Sequence, residues 1–278
     1  MRTVVQLSDL HFGTTIAATL DPLIQLLQKL RPDLVIVSGD LTQRAKTQQF
    51  VEARAYLDRL PAPRLVIPGN HDVPLYDIAR RFLSPLGRYR THISNDLAPV
   101  FLDDEIAVVG INTARSLTFK GGRIGRSQLA TSTAYLDALP PHVARIVVTH
   151  HPFDIPVGLS GVAIVHGAER AIDAFARCDV DLVLSGHLHL VHVASTAKYV
   201  AGYDAPMLVA GTAVSTRARG EPNSFFVFRV DRQVTECDTY TWDEETTAFQ
   251  QSDTRTFARV SGQAASPTWR SHSRPSIP

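Results

Sequence analysis

Residues 64–74 read RLVIPGNHDVP, an apolar run that stops at Pro68 and gives way to glycine, carboxamide, imidazole and carboxylate in succession. A buried strand that leads straight into Asn70, His71 and Asp72 needs a reason for carrying three polar groups at its end. A turn is one reason. Gly69 and Asn70 tolerate left-handed dihedrals, and Asp72 suits a local turn or a cap for a helix in PLYDIARRFL, residues 74–83. A functional site is the other. The two readings separate on whether other strands end in the same chemistry.

Apolar runs of strand length alternate with helix-period segments along the first third of the chain: TVVQLS (3–8), LDPLIQLLQKL (20–30), DLVIVSGD (33–40), TQQFVEARAYLDRL (47–60) and PRLVIPGN (63–70). That rhythm is α/β. Asp21 followed by Pro22 reads as an N-cap and first helical residue, with Leu23, Leu26, Leu27 and Leu30 along one face. Runs such as LVIVS and RIVVTH show no in/out alternation, which predicts strands covered by helices on both faces. The second half adds EIAVVGINT, RIVVTH, DLVLSGH, PMLVAGTAV and SFFVFRV, and the later strands, VTECDTYTW among them, read as antiparallel and hairpin-linked. Helix patterns fall at SQLATSTAYLDAL, capped at Ser127, and at AERAIDAFARC.

The strand ends repeat one chemistry. QLSDLHFG offers Asp9 and His11, VIVSGDL offers Asp40, and VIPGNHD offers Asn70 and His71. VVTHHP adds His150 and His151, and VLSGHLHL adds His187 and His189. In parallel α/β sheets ligands bind beyond the carboxyl ends of the strands, so these residues can converge although they lie far apart in sequence. Carboxylate, carboxamide and imidazole without thiolate suit Mn, Fe or Zn, and the supply suffices for two ions. A carboxylate such as Asp40 can bridge such a pair, the arrangement that clamps an in-line displacement at phosphorus.

Bulk properties bound the rest. The 278 residues, 44% hydrophobic and 20% charged, have the balance of a soluble globular protein. A net charge of +1 gives no large field for a nucleic-acid polymer or an anionic membrane, so neither is an expected partner. Cys178 and Cys237 lie outside any CxxC spacing and read as ordinary residues. Strand-like sequence begins at Thr3 and no apolar run reaches membrane-spanning length, so the expected address is the cytoplasm. Neither a phosphate-cradling G-x-x-x-x-G-K-[ST] loop nor a G-x-S-x-G elbow occurs.

Taken together, DLH, GDL, GNHD, THHP and GHLH resemble the calcineurin-like metallophosphoesterase superfamily, most of all its bacterial class III cyclic-nucleotide phosphodiesterase branch. The motifs span residues 3–190. The resemblance implies an α/β four-layer sandwich of two mixed β-sheets flanked by helices, occupying residues 1–251; by its Ser-, Pro- and Arg-rich composition 252–278 reads as a partly flexible tail, in which TRTFARV (254–260) could still form an edge strand. It implies that Asp9, His11, Asp40 and His189 hold one metal ion and Asp40, Asn70, His150 and His187 the other. His151 stands beside them, facing a ligand or the substrate. His71 would face the phosphate as a catalytic residue, oriented by Asp72, with Gly69 making the sharp turn that presents both.

The reaction so implied is hydrolysis of a small phosphodiester, 3',5'-cyclic AMP by the branch resemblance, through attack of a metal-bridging hydroxide. A broad phosphomonoesterase or diesterase, a nucleotide-sugar pyrophosphatase, a nuclease and a non-catalytic scaffold are the alternatives, and a homodimer is the assembly the resemblance allows. Asn112, Arg115 and the basic residues of FKGGRIGRSQL are read as loop residues, His192 as a rim histidine, and His92, His142, His166 and His272 as ordinary ones.

Overall fold

The computed structural model describes residues 1–117, 121–260 and 268–274. The β-branched run at the start forms β1 (Arg2–Leu7), which leads into α1 (Ala17–Leu30), β2 (Leu34–Val37), α2 (Thr47–Leu57) and β3 (Arg64–Val66). Two short helices, α3 (Ile78–Leu83) and α4 (Gly87–His92), precede β4 (Val100–Leu102) and β5 (Ile106–Ile111). Then come α5 (Arg126–Asp137), β6 (Ala144–Thr149), α6 (Ala168–Arg177), β7 (Leu182–Ser185), β8 (His192–Ser195) and β9 (Pro206–Val209). Four strands close the chain: β10 (Ser224–Val230), β11 (Val234–Asp243), β12 (Ala248–Val260) and β13 (Thr268–Arg274).

Both sheets are mixed. One runs β13-β12-β11-β10-β1-β2-β3, with β1, β2 and β3 parallel and the remainder antiparallel. The other runs β4-β5-β6-β7-β9-β8, parallel through β5, β6, β7 and β9 with an antiparallel strand at each edge. Because side chains alternate along a strand, each strand serves two layers. Val4, Leu34, Ile36 and Leu65 share a core with Ile106, Val108 and Ile146 of the second sheet. Their neighbours Val5, Leu7, Val35 and Val37 pack with Leu23, Ile24 and Leu27 of α1 and with Phe50 and Leu57 of α2. On the far side, Leu129 and Leu136 of α5 and Ile172 and Phe175 of α6 cover the second sheet. The expected helices on both faces of each sheet are therefore corrected to helices on one face and the other sheet on the opposite face. Both partners are apolar, which is why the sequence shows no alternation.

Three boundaries differ from expectation. Helix α1 starts at Ala17, not at Asp21, and Pro22 lies inside it. Its first turn is held by Ile16 N–H donating to Val214 C=O at 2.8 Å and by Thr19 Oγ1 donating to Ile16 C=O at 2.8 Å. Helix α5 is capped at Gly125, not Ser127, because the Gln128 side chain turns back to accept from Gly125 N–H at 3.0 Å. The boundary expected between 251 and 252 falls inside β12, which runs to Val260 and pairs with β13. Few large apolar side chains punctuate this stretch, so its composition reads as tail, yet Phe257 is buried in the core between the sheets. The rest of the expected tail, 261–267 and 275–278, lies outside the described residues.

Arg259, beyond the expected boundary, ties this edge to the second sheet. It donates to Asp181 Oδ1 at 2.9 Å, Arg232 donates to Asp181 Oδ2, and Asp181 is fully buried. Removing the carboxylate would leave two largely desolvated guanidinium groups with only the longer 3.4 Å contacts to the more exposed Asp179, so Asp181→Ala should cost about 3 kcal/mol in urea unfolding. Removing the half-exposed Asp58 partner of Arg54 should cost about 0.5 kcal/mol or less. Equal losses at the two sites would show that Asp181 is not a buried clamp.

Candidate metal centre

The strand-end residues meet in one place. Asp9 and His11 follow β1, Asp40 follows β2, Asn70 and His71 follow β3, His150 and His151 follow β6, and His187 and His189 follow β7. Five of them, Asp9, His11, Asp40, His187 and His189, have positive φ between 47° and 73°. Left-handed backbone at a non-glycine residue costs roughly 1–3 kcal/mol and persists only where the surroundings enforce it. Here it turns each loop so that its side chain points back across the ends of the strands.

Two groups of ligand atoms result. In the first, Asp9, His11, Asp40 and His189 bring one ligand atom each within 4.8 Å of one another. His11 Nε2 lies 3.2 Å from His189 Nε2 and 3.6 Å from both Asp9 Oδ1 and Asp40 Oδ2, and His189 Nε2 is 3.2 Å from Asp9 Oδ1. Asp9 Oδ1 and Asp40 Oδ2 are buried and receive no hydrogen bond. A buried carboxylate oxygen without a donor is costly unless a cation faces it. In the second group, His150 Nε2 lies 3.0 Å from Asn70 Oδ1 and 3.3 Å from Asp40 Oδ1. His150, His151 and His187 also gather their ligand atoms within 4.8 Å. Asp40 thus presents one oxygen to each group.

The imidazoles are set for ligation by their other nitrogens. His150 Nδ1–H donates to Ser38 C=O at 2.8 Å, and His189 Nδ1–H donates to Arg217 C=O at 2.8 Å, which leaves each Nε2 facing the carboxylates. Burial pushes His11 down to about 4 and His187 down to about 3, so both rings are neutral. Burial acts the same way on His150, but the Asp40 charge outweighs it and raises that ring to about 9. Asp9 and Asp40 stay well below the usual carboxylate range against their burial, chiefly through His189 and His150 respectively. Anionic oxygens and imidazole nitrogens in one dry cluster form a donor set that fits borderline transition-metal ions.

His151 differs from the simple expectation. Its Nδ1 pairs with Thr113 Oγ1 at 2.7 Å, its Nε2 is buried without a partner, and its ring centre lies 4.7 Å from that of His187. Three imidazoles therefore stand at the second group. Asp72 departs further. It does not touch the His71 ring; its carboxylate accepts from Gly69 N–H at 2.9 Å, Thr42 N–H at 2.9 Å, Thr42 Oγ1 at 3.0 Å and Leu41 N–H at 3.2 Å. Asp72 is a clamp between the loops after β2 and β3. The ring of His71 is oriented instead by Gln43, whose carbonyl accepts from Nδ1–H at 2.9 Å.

His71 and Asn70, both half-buried, line a cleft of about 280 Å³ with Gln43, Arg44, Arg81 and Arg217. Gln43, Arg44 and Arg217 are absent from a search confined to metal-ligand types. Arg217 lies farther beyond β9 than any of the ligands lies beyond its own strand, so strand-end position does not single it out. Asn112 and Arg115 do not line this cleft: the Asn112 side chain accepts from Ala114 N–H at 2.9 Å, and Arg115 donates to Gln128 at 3.3 Å. His192 pairs with Asp154 at 2.8 Å, as a rim residue would.

Comparison with known proteins places this geometry. Residues 2–191 match the family described as calcineurin-like phosphoesterase. A transmembrane protein with metallophosphoesterase domain from Bos taurus is 28% identical over 199 residues, covering 67% of this chain and 40% of that protein. The chain thus spans about two fifths of that relative's length. A probable cyclic nucleotide phosphodiesterase from Synechococcus is 26% identical over 203 residues, covering 67% of this chain and 72% of that protein. The purple acid phosphatase of yellow lupin superposes with a TM-score of 0.72 at 15% identity, over 92% of this chain and 53% of that one, which shows a shared fold. Among the described residues, no helix is long and apolar enough to cross a membrane.

Gly69 is where the loops after β2 and β3 touch. A Cβ there would stand 2.1 Å from Asp40 Oδ1 and 2.3 Å from Asp40 N, so backbone as well as side chain would have to move. Gly69→Ala is expected to weaken Mn binding by about 10–100-fold, the range seen when groups that position ligands are disturbed. Titration calorimetry would measure it, and an unchanged affinity would show that the close approach does not set the ligand geometry.

Proposed function

The chain belongs to the calcineurin-like phosphoesterase family, and from that premise we propose that it is a binuclear metal-dependent phosphodiesterase acting on a small diester. The observation that carries the reading is the pair of unpartnered, buried oxygens on Asp9 and Asp40, each facing imidazole nitrogens. Asp9, His11, Asp40 and His189 would hold one ion and Asp40, Asn70, His150 and His187 the second, with Mn, Fe and Zn all suited to such donors. What such ions supply when bound is charge against the phosphoryl oxygens and a water acidic enough to attack at neutral pH.

The chain's own residues then bind, orient and move a proton. Asn70 and His71 sit side by side at the cleft, so a phosphate that reaches the ligand cluster also meets His71. With Nδ1–H committed to the Gln43 carbonyl, a second proton on His71 resides at Nε2. That proton is the one available to the leaving oxygen of the ester. Asp72 contributes indirectly, by locking the loop that carries His71 against the loop that carries Asp40. The name of the Synechococcus relative supports a diester in place of a monoester, and 3',5'-cyclic AMP is the substrate favoured by the resemblance to the class III branch. The near-neutral charge supports a small substrate over a nucleic-acid polymer.

Two measurements test this. His71→Ala should keep its metal content while kcat for an alkyl diester falls by about 10²–10⁴-fold, with a smaller loss for a p-nitrophenyl ester whose leaving group needs no proton. Loss of metal on that substitution would reassign His71 as a ligand. For the Mn-reconstituted protein, turnover of 3',5'-cyclic AMP at an efficiency comparable to bis(p-nitrophenyl) phosphate is the expected result. Cleavage of the aryl diester alone would remove cyclic AMP as the substrate, and cleavage of neither would remove the reading.

A further inference from the structure

Arg44, Arg81 and Arg217 all line the cleft that holds Asn70 and His71, and no carboxylate lines it among the described residues. Arg81 is committed to the fold: it is 3% exposed and donates to Ser116 C=O at 2.7 Å and Pro74 C=O at 2.9 Å. Arg44 and Arg217 are different. Neither makes an ion pair with a described carboxylate, though both are half-buried. Each is nevertheless held in place. The Arg44 guanidinium lies over the Tyr76 ring at 5.6 Å, and Arg217 Nη1 donates to Gln43 Oε1 at 3.1 Å.

The Gln43–Arg217 contact has a second aspect. The carbonyl of Gln43 fixes the tautomer of His71, and the carbonyl of Arg217 fixes that of His189. One side-chain hydrogen bond therefore joins the two residues whose backbones orient the phosphate-facing histidine and a metal ligand. Burial lowers the Arg217 pKa from its usual value, although Asp40 and Asp9 act in the opposite sense. A fixed, partly desolvated guanidinium with no carboxylate partner is a site for an anion.

A phosphodiester carries a single negative charge, and Asn70, His71 and the ligand cluster already face it. The net charge of the whole chain is only +1, so the cations of this wall are not part of a generally basic surface. We propose that Arg217, clasped by Gln43 and supported by Arg44, is a specificity-determining residue that binds a second anionic group, a carboxylate or phosphomonoester, carried by the substrate beyond its scissile phosphate. This rests on the phosphodiesterase reading but not on cyclic AMP, which has no second anionic group, and it favours within that reading diesters with an additional negative charge.

The test compares p-nitrophenyl ethyl phosphate with p-nitrophenyl 2-carboxyethyl phosphate on the Mn-reconstituted full chain, in wild type, Arg217→Met and Arg217→Lys. Wild type should favour the carboxyethyl ester in kcat/KM by about 10–100-fold, expressed mainly in KM, as expected for one charge-assisted contact. Arg217→Met should erase most of that ratio and Arg217→Lys should retain part of it. An equal loss on both esters in Arg217→Met, or a ratio that survives it, overturns the proposal and leaves the diesterase reading standing. Failure of wild type to cleave either ester overturns both.

Discussion

Everything at the edge of this sandwich is arranged around the buried carboxylate of Asp40. It lies where the two sheets meet, fully shielded from water, and an ion placed there alone would be driven to protonate or expel itself. The chain prevents this with donors on one oxygen and imidazoles on both. His71 N–H donates to Oδ1 at 2.8 Å, His150 Nε2 stands 3.3 Å from the same oxygen, and His11 Nε2 stands 3.6 Å from Oδ2. Only the last oxygen lacks a hydrogen bond, and it faces the first ligand group. The loops after β1, β3, β6 and β7 owe their shapes to serving this carboxylate and its neighbour Asp9.

The local cost of that service is visible in the backbone. Five left-handed residues at roughly 1–3 kcal/mol each approach the whole stability of an ordinary domain. Asp and His are among the residues that enter this region most readily, so the lower end of the range applies. What offsets the strain lies in the layers below. β1, β2, β6 and β7 are buried on both faces over most of their lengths, and the loops are anchored by bonds that leave no freedom to relax. Asp9 N–H donates to Gly39 C=O at 3.1 Å, His11 N–H to Asp40 C=O at 3.0 Å, and Gly186 N–H to His150 C=O at 3.0 Å. The ligand loops thus hydrogen-bond to one another, and a change in one is transmitted to the rest.

This interdependence explains what could be read from sequence and what could not. Asp9, His11, Asp40, Asn70, His150, His187 and His189 were legible because side-chain type and position after an apolar run are both written in the chain. The sandwich followed only from the resemblance, since a strand covered by a helix and a sheet has the same apolar sequence as one covered by two helices. The orientation of His71 was not legible, because it depends on the carbonyl of Gln43, and a backbone carbonyl has no sequence signature. Asp72 misled for the same reason: a carboxylate next to a histidine suggests a pair, while the unsatisfied N–H groups of Gly69, Leu41 and Thr42 compete for it and win. Past Ser252 the polar composition favoured a tail, and TRTFARV was legible only as an alternative edge strand, because a ladder made by backbone atoms leaves little more in the sequence than Phe257.

On the proposed reading, the contact between Gln43 and Arg217 gives the site selectivity without disturbing its chemistry. Both residues act on the histidines through backbone carbonyls, which any amino acid at those positions would supply. Their side chains are therefore free to vary in what they present to the cleft while the tautomers of His71 and His189 stay fixed. The ligand carboxylates cannot vary in this way, because each oxygen is already assigned. Substrate preference should accordingly reside in the loops after β2 and β9, and the hydrolytic chemistry in the strand-end ligands they surround. A chain built on this division can change the group it recognises by substituting a rim side chain, at little cost to the buried charges on which its fold and its chemistry both depend.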